Sequence, residues 1–122
     1  MTSANITLPS GKKYTQPTGL FINNEFVKAK SGKTFEAINP ATSKSVCEVQ
    51  EAGDEDVDIA IAAARTAFDG AWGELTPTER GKCLIKFAEL IEENAEMLAA
   101  VESLNGGKVY RCGLSVADDS LF

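Results

Sequence analysis

The stretch DEDVDIAIAAARTAF, residues 54–68, is where the sequence changes from a strand pattern to a helix pattern. Its apolar residues recur at the spacing of a single helix face. These residues are Val57, Ala60, Ile61, Ala64 and Phe68. The acidic residues at its start fall in the first turn, where the helix dipole favours negative charge. We therefore predict a helix that begins at Asp54 and closes at Gly70 and Trp72.

The residues before this helix predict a small antiparallel β unit. Leu20–Ile22 and Glu25–Val27 flank Asn23-Asn24, and asparagine is one of the few residues that tolerate the positive φ of a tight hairpin turn. Two further short strands are expected, and they are Thr34–Ile38, which Asn39-Pro40 ends, and Ser45–Val49. Residues 1–18 are polar and rich in turn-forming residues, so we predict an extended N-terminal arm there.

Two more helices are expected after the first one. Thr76-Pro77-Thr78-Glu79 is a capping box with proline at the first helical position, which is typical of a helix start. The apolar face that follows consists of Leu84, Phe87, Ala88 and Ile91. The pattern breaks at Glu93-Asn94, and Asn94 is the expected cap of a third helix. That helix carries the apolar residues Met97, Leu98, Val101 and Leu104.

Residues 103–108, SLNGGK, contain two glycines and a lysine and so raise the question of a phosphate-binding loop. Phosphates bind at helix N-termini, whereas Asn105-Gly106-Gly107 follows the last apolar residue of a predicted helix. The Walker pattern requires a glycine where Glu102 stands and a serine or threonine where Val109 stands. The favoured interpretation is a glycine that ends a helix in the left-handed conformation.

Composition limits the possible classes of function. A chain of 122 residues forms one domain at most. A net charge of −6 with no histidine argues against a nucleic-acid-binding surface, which requires a basic face. The sequence has neither a long apolar run nor a recognisable signal peptide, so we expect no membrane association. A cytoplasmic location is the resulting expectation.

Candidate reactive and metal-binding residues are few. The cysteines lack the close spacing of a zinc site, and we expect Cys47 and Cys83 to be packing residues, while the exposure of Cys112 is left open. A cluster of acidic residues allows two interpretations, a cation site or a solvated helix start. The cluster consists of Asp54, Glu55, Asp56 and Asp58. The spacing of an EF-hand loop is absent, so the solvated helix start is favoured.

The sequence as a whole resembles the N-terminal segment of NAD(P)-dependent aldehyde dehydrogenases. The resemblance is carried by GLFINNEFVKAKSGKTFEAINPATSKSVCEV, AGDEDVDIAIAAARTAF, Trp72 and TPTERGKCLIKFAELIEENAEMLAAVESLNGGK, in this order. It implies an α/β fold in which an antiparallel β hairpin unit and about three amphipathic helices form part of a Rossmann-like NAD-binding domain. The resemblance implies that residues 19–108 are this portion of the domain, and that residues 109–122 are a divergent tail.

The resemblance also bounds the expected function. Family members oxidise an aldehyde to a carboxylic acid with NAD or NADP, using a nucleophilic cysteine and a general-base glutamate that come later in the chain. None of Cys47, Cys83 and Cys112 occupies the motif of that nucleophile. We therefore expect no catalytic and no cofactor-binding residues here, no activity and no bound cofactor for this chain alone. Residues 109–122 suggest a truncated or frameshifted reading frame. The alternative function is a non-catalytic product that associates with itself or with a full-length homologue.

One further site is implied by the resemblance. Some family members bind a structural cation through backbone oxygens before the Asn-Pro turn and an acidic side chain near the Asn-Gly-Lys turn. The matching positions are Ala37, Ile38 and Asn105, and Asn105 stands where many members have aspartate. Oxygen ligands suit a hard cation. The alternative is a helix end packed against a strand end.

Overall fold

The computed structural model describes residues 2–8 and 10–110, which form paired strands followed by helices. The chain divides into two compact units, the first comprising Met1–Ile38 and Ser45–Glu74 and the second comprising Asn39–Lys44 and Leu75–Phe122. The strands are β1 (Ser3–Thr7), β2 (Lys13–Pro17), β3 (Leu20–Ile22), β4 (Glu25–Val27), β5 (Thr34–Asn39) and β6 (Lys44–Gln50). The helices are α1 (Asp54–Asp69), α2 (Ala71–Glu74), α3 (Pro77–Glu93) and α4 (Ala95–Gly106).

The hairpin predicted around Asn23-Asn24 is confirmed. β3 and β4 pair antiparallel, with Phe21 opposite Phe26. Asn23 and Asn24 have φ values of 50° and 66°, the left-handed conformation that a two-residue hairpin turn requires. The rings of Phe21 and Phe26 lie 4.9 Å apart between centroids, a cross-strand aromatic pair of the kind that stabilises hairpins.

β5 and β6 also pair, and the short connection between them can only join antiparallel strands. The proline at position 40 ends β5 as predicted. The side chain of Asn39 shapes the turn, because its Oδ1 accepts a hydrogen bond from the N–H of Ala41 at 2.9 Å. The N–H of Ser43 then donates to the carbonyl oxygen of Asn39 at 2.8 Å, which closes the turn.

Two paired strands lie within residues 1–18, which the sequence predicted to be an extended arm. β1 and β2 are antiparallel, with Ser3 opposite Pro17 and Thr7 opposite Lys13. Ile6 and Leu8, two residues apart on one face, are buried and anchor the hairpin. The strands reverse near Gly11, whose φ of 85° favours glycine. The polar composition concealed this alternation, since only every second residue faces inward.

α1 has the predicted start, but its apolar face is mostly uncovered in the described part of the chain. It begins after Gly53 and ends at Asp69, where the N–H of Gly70 donates to the carbonyl oxygen of Thr66 at 3.0 Å. Trp72 lies in the separate short helix α2 rather than at the end of α1. Within the predicted face Ala60 is half-buried, whereas Val57, Ile61, Ala64 and Phe68 are exposed.

α3 begins with the predicted capping box. The N–H of Glu79 donates to Thr76 Oγ1 at 3.3 Å, and the N–H of Thr76 donates to Glu79 Oε2 at 2.8 Å. Asn94 stands between α3 and α4 as expected, but its side chain does not cap α4. Its Nδ2 instead donates to the carbonyl oxygen of Leu90 at 2.8 Å, so the side chain stabilises the end of α3.

The glycines of SLNGGK end a helix. Gly107 follows α4 with φ of 72°, and its N–H donates to the carbonyl oxygen of Ser103 at 3.1 Å. A side chain on Gly107 would have no room, because a Cβ there would lie 2.8 Å from Cγ of Pro40. Both the conformation and the space therefore require glycine, and the helix-end interpretation is confirmed.

Alanine substitutions at the two adjacent glycines should change the free energy of unfolding differently. We expect Gly107→Ala to lower the free energy of unfolding by about 1–2 kcal/mol, because alanine is strained at positive φ. Gly106→Ala is the matched control, since Gly106 lies within α4 and its added methyl meets only the flexible Glu102 side chain, at 3.3 Å. This control should leave stability unchanged or raise it by up to about 1 kcal/mol. Urea unfolding followed by circular dichroism measures both, and equal losses would contradict the assignment.

The capping box should be visible in the titration of Glu79. The Thr76 hydroxyl, followed by the Thr76 backbone N–H, lowers the pKa of Glu79, so Thr76→Ala should raise that pKa toward its ordinary value. Because the folded-state pKa is lowered, the interaction stabilises the fold above the ordinary carboxyl pKa, and this contribution is lost as the pH falls through the lowered value. An NMR titration of the Glu79 carboxyl carbon measures the shift. Thr78→Ala, which leaves the box intact, should not reproduce it.

Candidate functional site

A buried carboxylate joins the start of α1 to the segment between β4 and β5. Asp56 is only 3% exposed. Its Oδ1 accepts a hydrogen bond from the N–H of Lys30 at 3.0 Å, and its Oδ2 accepts one from the N–H of Gly53 at 3.0 Å. One side chain therefore caps its own helix and holds the segment between β4 and β5. We call Asp56 together with Gln50 the polar cluster.

Gln50 makes the second set of links in the polar cluster. Its Oε1 accepts a hydrogen bond from the N–H of Ala29 at 2.9 Å, in a buried position. Its backbone N–H donates to the carbonyl oxygen of Thr18 at 2.9 Å, and the N–H of Thr18 donates to the carbonyl oxygen of Thr2 at 2.8 Å. The end of β6 is thereby connected both to the β1–β2 hairpin and to the segment after β4.

The polar cluster is suited to holding backbone in place rather than to chemistry. Both oxygens of the Asp56 carboxylate are engaged with backbone N–H groups, and charge-assisted bonds of this kind are among the stronger ones. Among the described residues every buried polar side-chain atom has a hydrogen-bond partner. The Asp56 carboxylate and the amide oxygen of Gln50 thus serve the backbone rather than a substrate.

The acidic residues at the helix start were expected to be solvated, and Asp54, Glu55 and Asp58 are exposed. The expectation is wrong for Asp56, which is buried. The described residues contain no group of three or more histidine, cysteine, aspartate or glutamate residues that could hold a metal ion. A local signal for Asp56 existed, because an acidic side chain three positions after the residue that precedes a helix can accept a hydrogen bond from that residue's N–H, as in one half of a capping box. The bond to Lys30 had no such signal, since the two residues are 26 positions apart.

The two described cysteines lie in different environments. Cys47 is half-buried in β6, and burial raises the pKa of its thiol, which lowers the fraction of reactive thiolate near neutral pH. Burial, and then the charge of Cys47, raises the pKa of Tyr14 on β2. Cys83 on α3 is exposed, so the expectation that it packs is wrong for this chain. Cys112 lies outside the described residues.

The predicted cation ligands are placed as follows. Ala37 and Ile38 are consecutive residues of β5 in the first unit, and Asn105 is an exposed residue in the last turn of α4 in the second unit. Within the second unit the turn at Pro40 lies close to Gly107 at the end of α4. The cation site itself stays a prediction.

A sequence model of the aldehyde dehydrogenase family matches residues 26–118, more than half of the chain. The chain belongs to this family. The resemblance stated from the sequence is confirmed, and the match extends past Lys108 into residues that were predicted to be a divergent tail.

Relatives in fungi support the family assignment at high identity. The chain is 55% identical over 116 residues to an aldehyde dehydrogenase of Alternaria alternata. This alignment covers 95% of this chain and 23% of the relative. It is also 55% identical over 105 residues to an aldehyde dehydrogenase of Aspergillus niger, in an alignment that covers 86% of this chain and 21% of the relative. The chain therefore spans less than a quarter of the length of these relatives.

Solved structures of the family confirm the predicted α/β fold. An aldehyde dehydrogenase from Bacillus cereus in complex with NAD+ matches with a TM-score of 0.78 and 49% identity, covering 80% of this chain and 20% of that one. A betaine aldehyde dehydrogenase from Staphylococcus aureus in complex with NAD+ matches with a TM-score of 0.81 and 35% identity, covering 84% of this chain and 20% of that one. The described fold is that of the N-terminal part of the NAD-binding region of these enzymes.

No helix in the described ranges is at once long and apolar enough to cross a membrane.

Removing the Asp56 carboxylate should destabilise the first unit. We expect Asp56→Ala to lower the free energy of unfolding by about 2 kcal/mol, because it leaves two N–H groups without their charged acceptor. Asp58→Ala, an exposed position on the same helix, is the control and should cost no more than about 0.5 kcal/mol. Chemical unfolding measures the difference, and hydrogen exchange at the amides of Lys30 and Gly53 locates it. Similar losses in the two variants would contradict the role given to Asp56.

Proposed function

We propose that this chain supplies the N-terminal segment of the NAD-binding domain of an NAD(P)-dependent aldehyde dehydrogenase, an enzyme that oxidises an aldehyde to a carboxylic acid. The family match over residues 26–118 is the observation that carries the proposal. The two NAD+ complexes among the solved relatives support a nicotinamide cofactor for the complete enzyme.

The role of the chain in that enzyme is to brace the domain, and the chain alone neither oxidises aldehydes nor binds NAD. Covalent aldehyde oxidation needs a thiolate with a positioned base and a nicotinamide beside it. Burial raises the pKa of the Cys47 thiol, which lowers the fraction of thiolate near neutral pH. The polar cluster fits a bracing role, because the Asp56 carboxylate and the amide oxygen of Gln50 accept hydrogen bonds from backbone N–H groups.

The cytoplasm is the proposed location. Support comes from a relative of Elephantulus edwardii named "Aldehyde dehydrogenase, cytosolic 1", to which the chain is 50% identical over 97 residues. Nucleic acid is not a proposed partner, because the net charge of −6 would repel phosphates.

A second candidate role is association with another chain. The observation that favours it is the exposure of large apolar side chains on the helices of both units, among them Phe68 on α1 and Phe87 on α3. Exposed apolar surface of this kind is typical of protein contacts. The two roles are compatible, since a bracing segment must contact the body that it braces.

A chimera tests the proposed function directly. The chain replaces the matching segment of the Alternaria alternata enzyme, and NADH formation from acetaldehyde is followed for the chimera, the parent enzyme and the chain alone. We expect the chimera to retain a rate comparable to that of the parent, because 55% identity preserves the contacts of the segment. The chain alone should show no rate above a boiled control, with either NAD or NADP.

Two results would contradict the proposal. A chimera that folds and assembles like the parent but forms no NADH would show that the segment is not equivalent. NADH formation by the chain alone would show that it contains its own catalytic site. An isothermal titration of the chain with NAD, with the parent enzyme as the positive control, tests cofactor binding separately from turnover.

A further inference from the structure

α4 ends in an asparagine followed by a glycine, and this pair of residues has a chemistry of its own. Asn105 and Gly106 are the last two residues of the helix, and both are exposed within the described part of the chain. The backbone nitrogen that follows an asparagine can attack the side-chain amide carbon, because the bond between them closes a five-membered ring. Glycine places no side chain beside that nitrogen, so the attack is least hindered there.

The other asparagines of the sequence are followed by residues that hinder or prevent this attack. Asn39 precedes a proline, whose nitrogen has no hydrogen to lose. Asn5 precedes a β-branched isoleucine, which crowds the nitrogen. Asn23, Asn24 and Asn94 precede asparagine, glutamate and alanine. The sequence therefore favours the reaction most at position 105.

The helix restrains Asn105, so its last turn has to open before the ring can close. In an α-helix the N–H of each residue is directed at the carbonyl oxygen four residues earlier. While Asn105 keeps its helical ψ, the Gly106 nitrogen lies out of the plane in which the five-membered ring forms. The rate of the reaction in the folded chain is therefore set by how often the end of α4 opens.

Few interactions close this last turn. The N–H of Gly107 donates to the carbonyl oxygen of Ser103 at 3.1 Å, and Gly107 lies against Pro40 within the second unit. Gly106 weakens the turn, because glycine within a helix is less stable than alanine. The last turn of α4 also lacks a basic side chain that would stabilise the negative end of the helix. The turn therefore opens more readily than one in the middle of a helix.

We propose that Asn105 is a deamidation site, at which opening of the last turn of α4 sets the rate. The Gly106 nitrogen loses its proton and bonds to Cγ of Asn105. The Cγ–Nδ2 bond breaks, and the amide nitrogen leaves with that proton as ammonia. Water then opens the resulting succinimide at either carbonyl carbon, which gives aspartate or isoaspartate. The sequence of steps transfers no electrons, and water is its one co-reactant.

Both products destabilise the end of the helix. A carboxylate at position 105 lies at the negative end of α4 and three residues after Glu102, so like charges come together. Isoaspartate also lengthens the backbone inside the turn that the N–H of Gly107 and the carbonyl oxygen of Ser103 close. The modification therefore converts a closed helix end into an open one and weakens the packing of Gly107 against Pro40.

The experiment follows the full 122-residue chain during incubation under native conditions and in urea. Trypsin cleaves after Lys86 and Lys108, so one peptide contains both Asn94 and Asn105. Mass spectrometric fragmentation reads the change from amide to acid at each position, and chromatography against synthetic peptides separates aspartate from isoaspartate. A sample digested at time zero corrects for conversion during digestion.

Asn94 is the matched control within the same peptide. Its Nδ2 donates to the carbonyl oxygen of Leu90 at 2.8 Å, and alanine follows it. Under native conditions we expect Asn105 to convert about tenfold faster than Asn94 or more, with isoaspartate among its products.

Three glycine variants test whether the last turn of α4 controls the rate. Gly106→Ala hinders the nitrogen and strengthens the helix, so it should slow conversion of Asn105 about fivefold or more. Gly107→Ala strains the helix end and leaves Gly106 in place, so it should speed conversion about fivefold or more. Gly81→Ala adds a methyl group to α3 in open space and should leave the rate unchanged.

Four results would overturn the proposal. Asn105 that stays intact under native conditions but converts in urea would show that the helix end does not open. An unchanged rate in Gly106→Ala or in Gly107→Ala would show that the last turn does not control the reaction. Slower conversion in Gly81→Ala would show that unfolding of the whole unit is required. Aspartate formed without isoaspartate would exclude the succinimide.

Discussion

The Asp56 carboxylate is the interaction on which the first unit depends. Its two oxygens hold the N–H groups of Gly53 and Lys30, so the direction in which α1 leaves β6 and the position of the segment after β4 are set by one buried side chain. Three separate two-stranded sheets have few large buried side chains to hold them together in the described part of the chain. Because little apolar surface is buried, charged hydrogen bonds supply a larger share of the stability of this unit than they would beside a well-packed core.

Local features of this fold could be predicted from the sequence, and features that depend on distant partners could not. The Asn23-Asn24 turn, the Thr76 capping box and the helix end at Gly107 each need only a few consecutive residues, and all three are present. The β1–β2 hairpin was missed because its inward residues are separated by polar ones. The bond of Asp56 to Lys30 was missed because nothing within either segment specifies the other.

Hydrophobic periodicity predicted the helices correctly but not what covers them. The pattern along α1 and α3 predicts that one side of each helix is apolar, but it does not identify the residues that pack against that side. In this chain Ile61, Phe68 and Phe87 remain exposed. The exposure of Cys83 follows from the same fact, since a small apolar residue is buried only when a neighbour lies against it. The cation ligands proposed from resemblance share this limit, because two short segments must meet to form that site.

The bond between Asp56 and Lys30 also orders events during synthesis. The turns and capping boxes close over a few residues and form within microseconds, whereas this bond spans 26 positions of sequence. A ribosome adds roughly 5–20 residues per second, so the β3–β4 hairpin is made a second or more before its anchor emerges. During that interval the two edges of the hairpin and its tilted phenylalanine pair have no hydrogen bond to a helix. The hairpin therefore has to persist without this hydrogen bond until residue 56 has emerged from the ribosome.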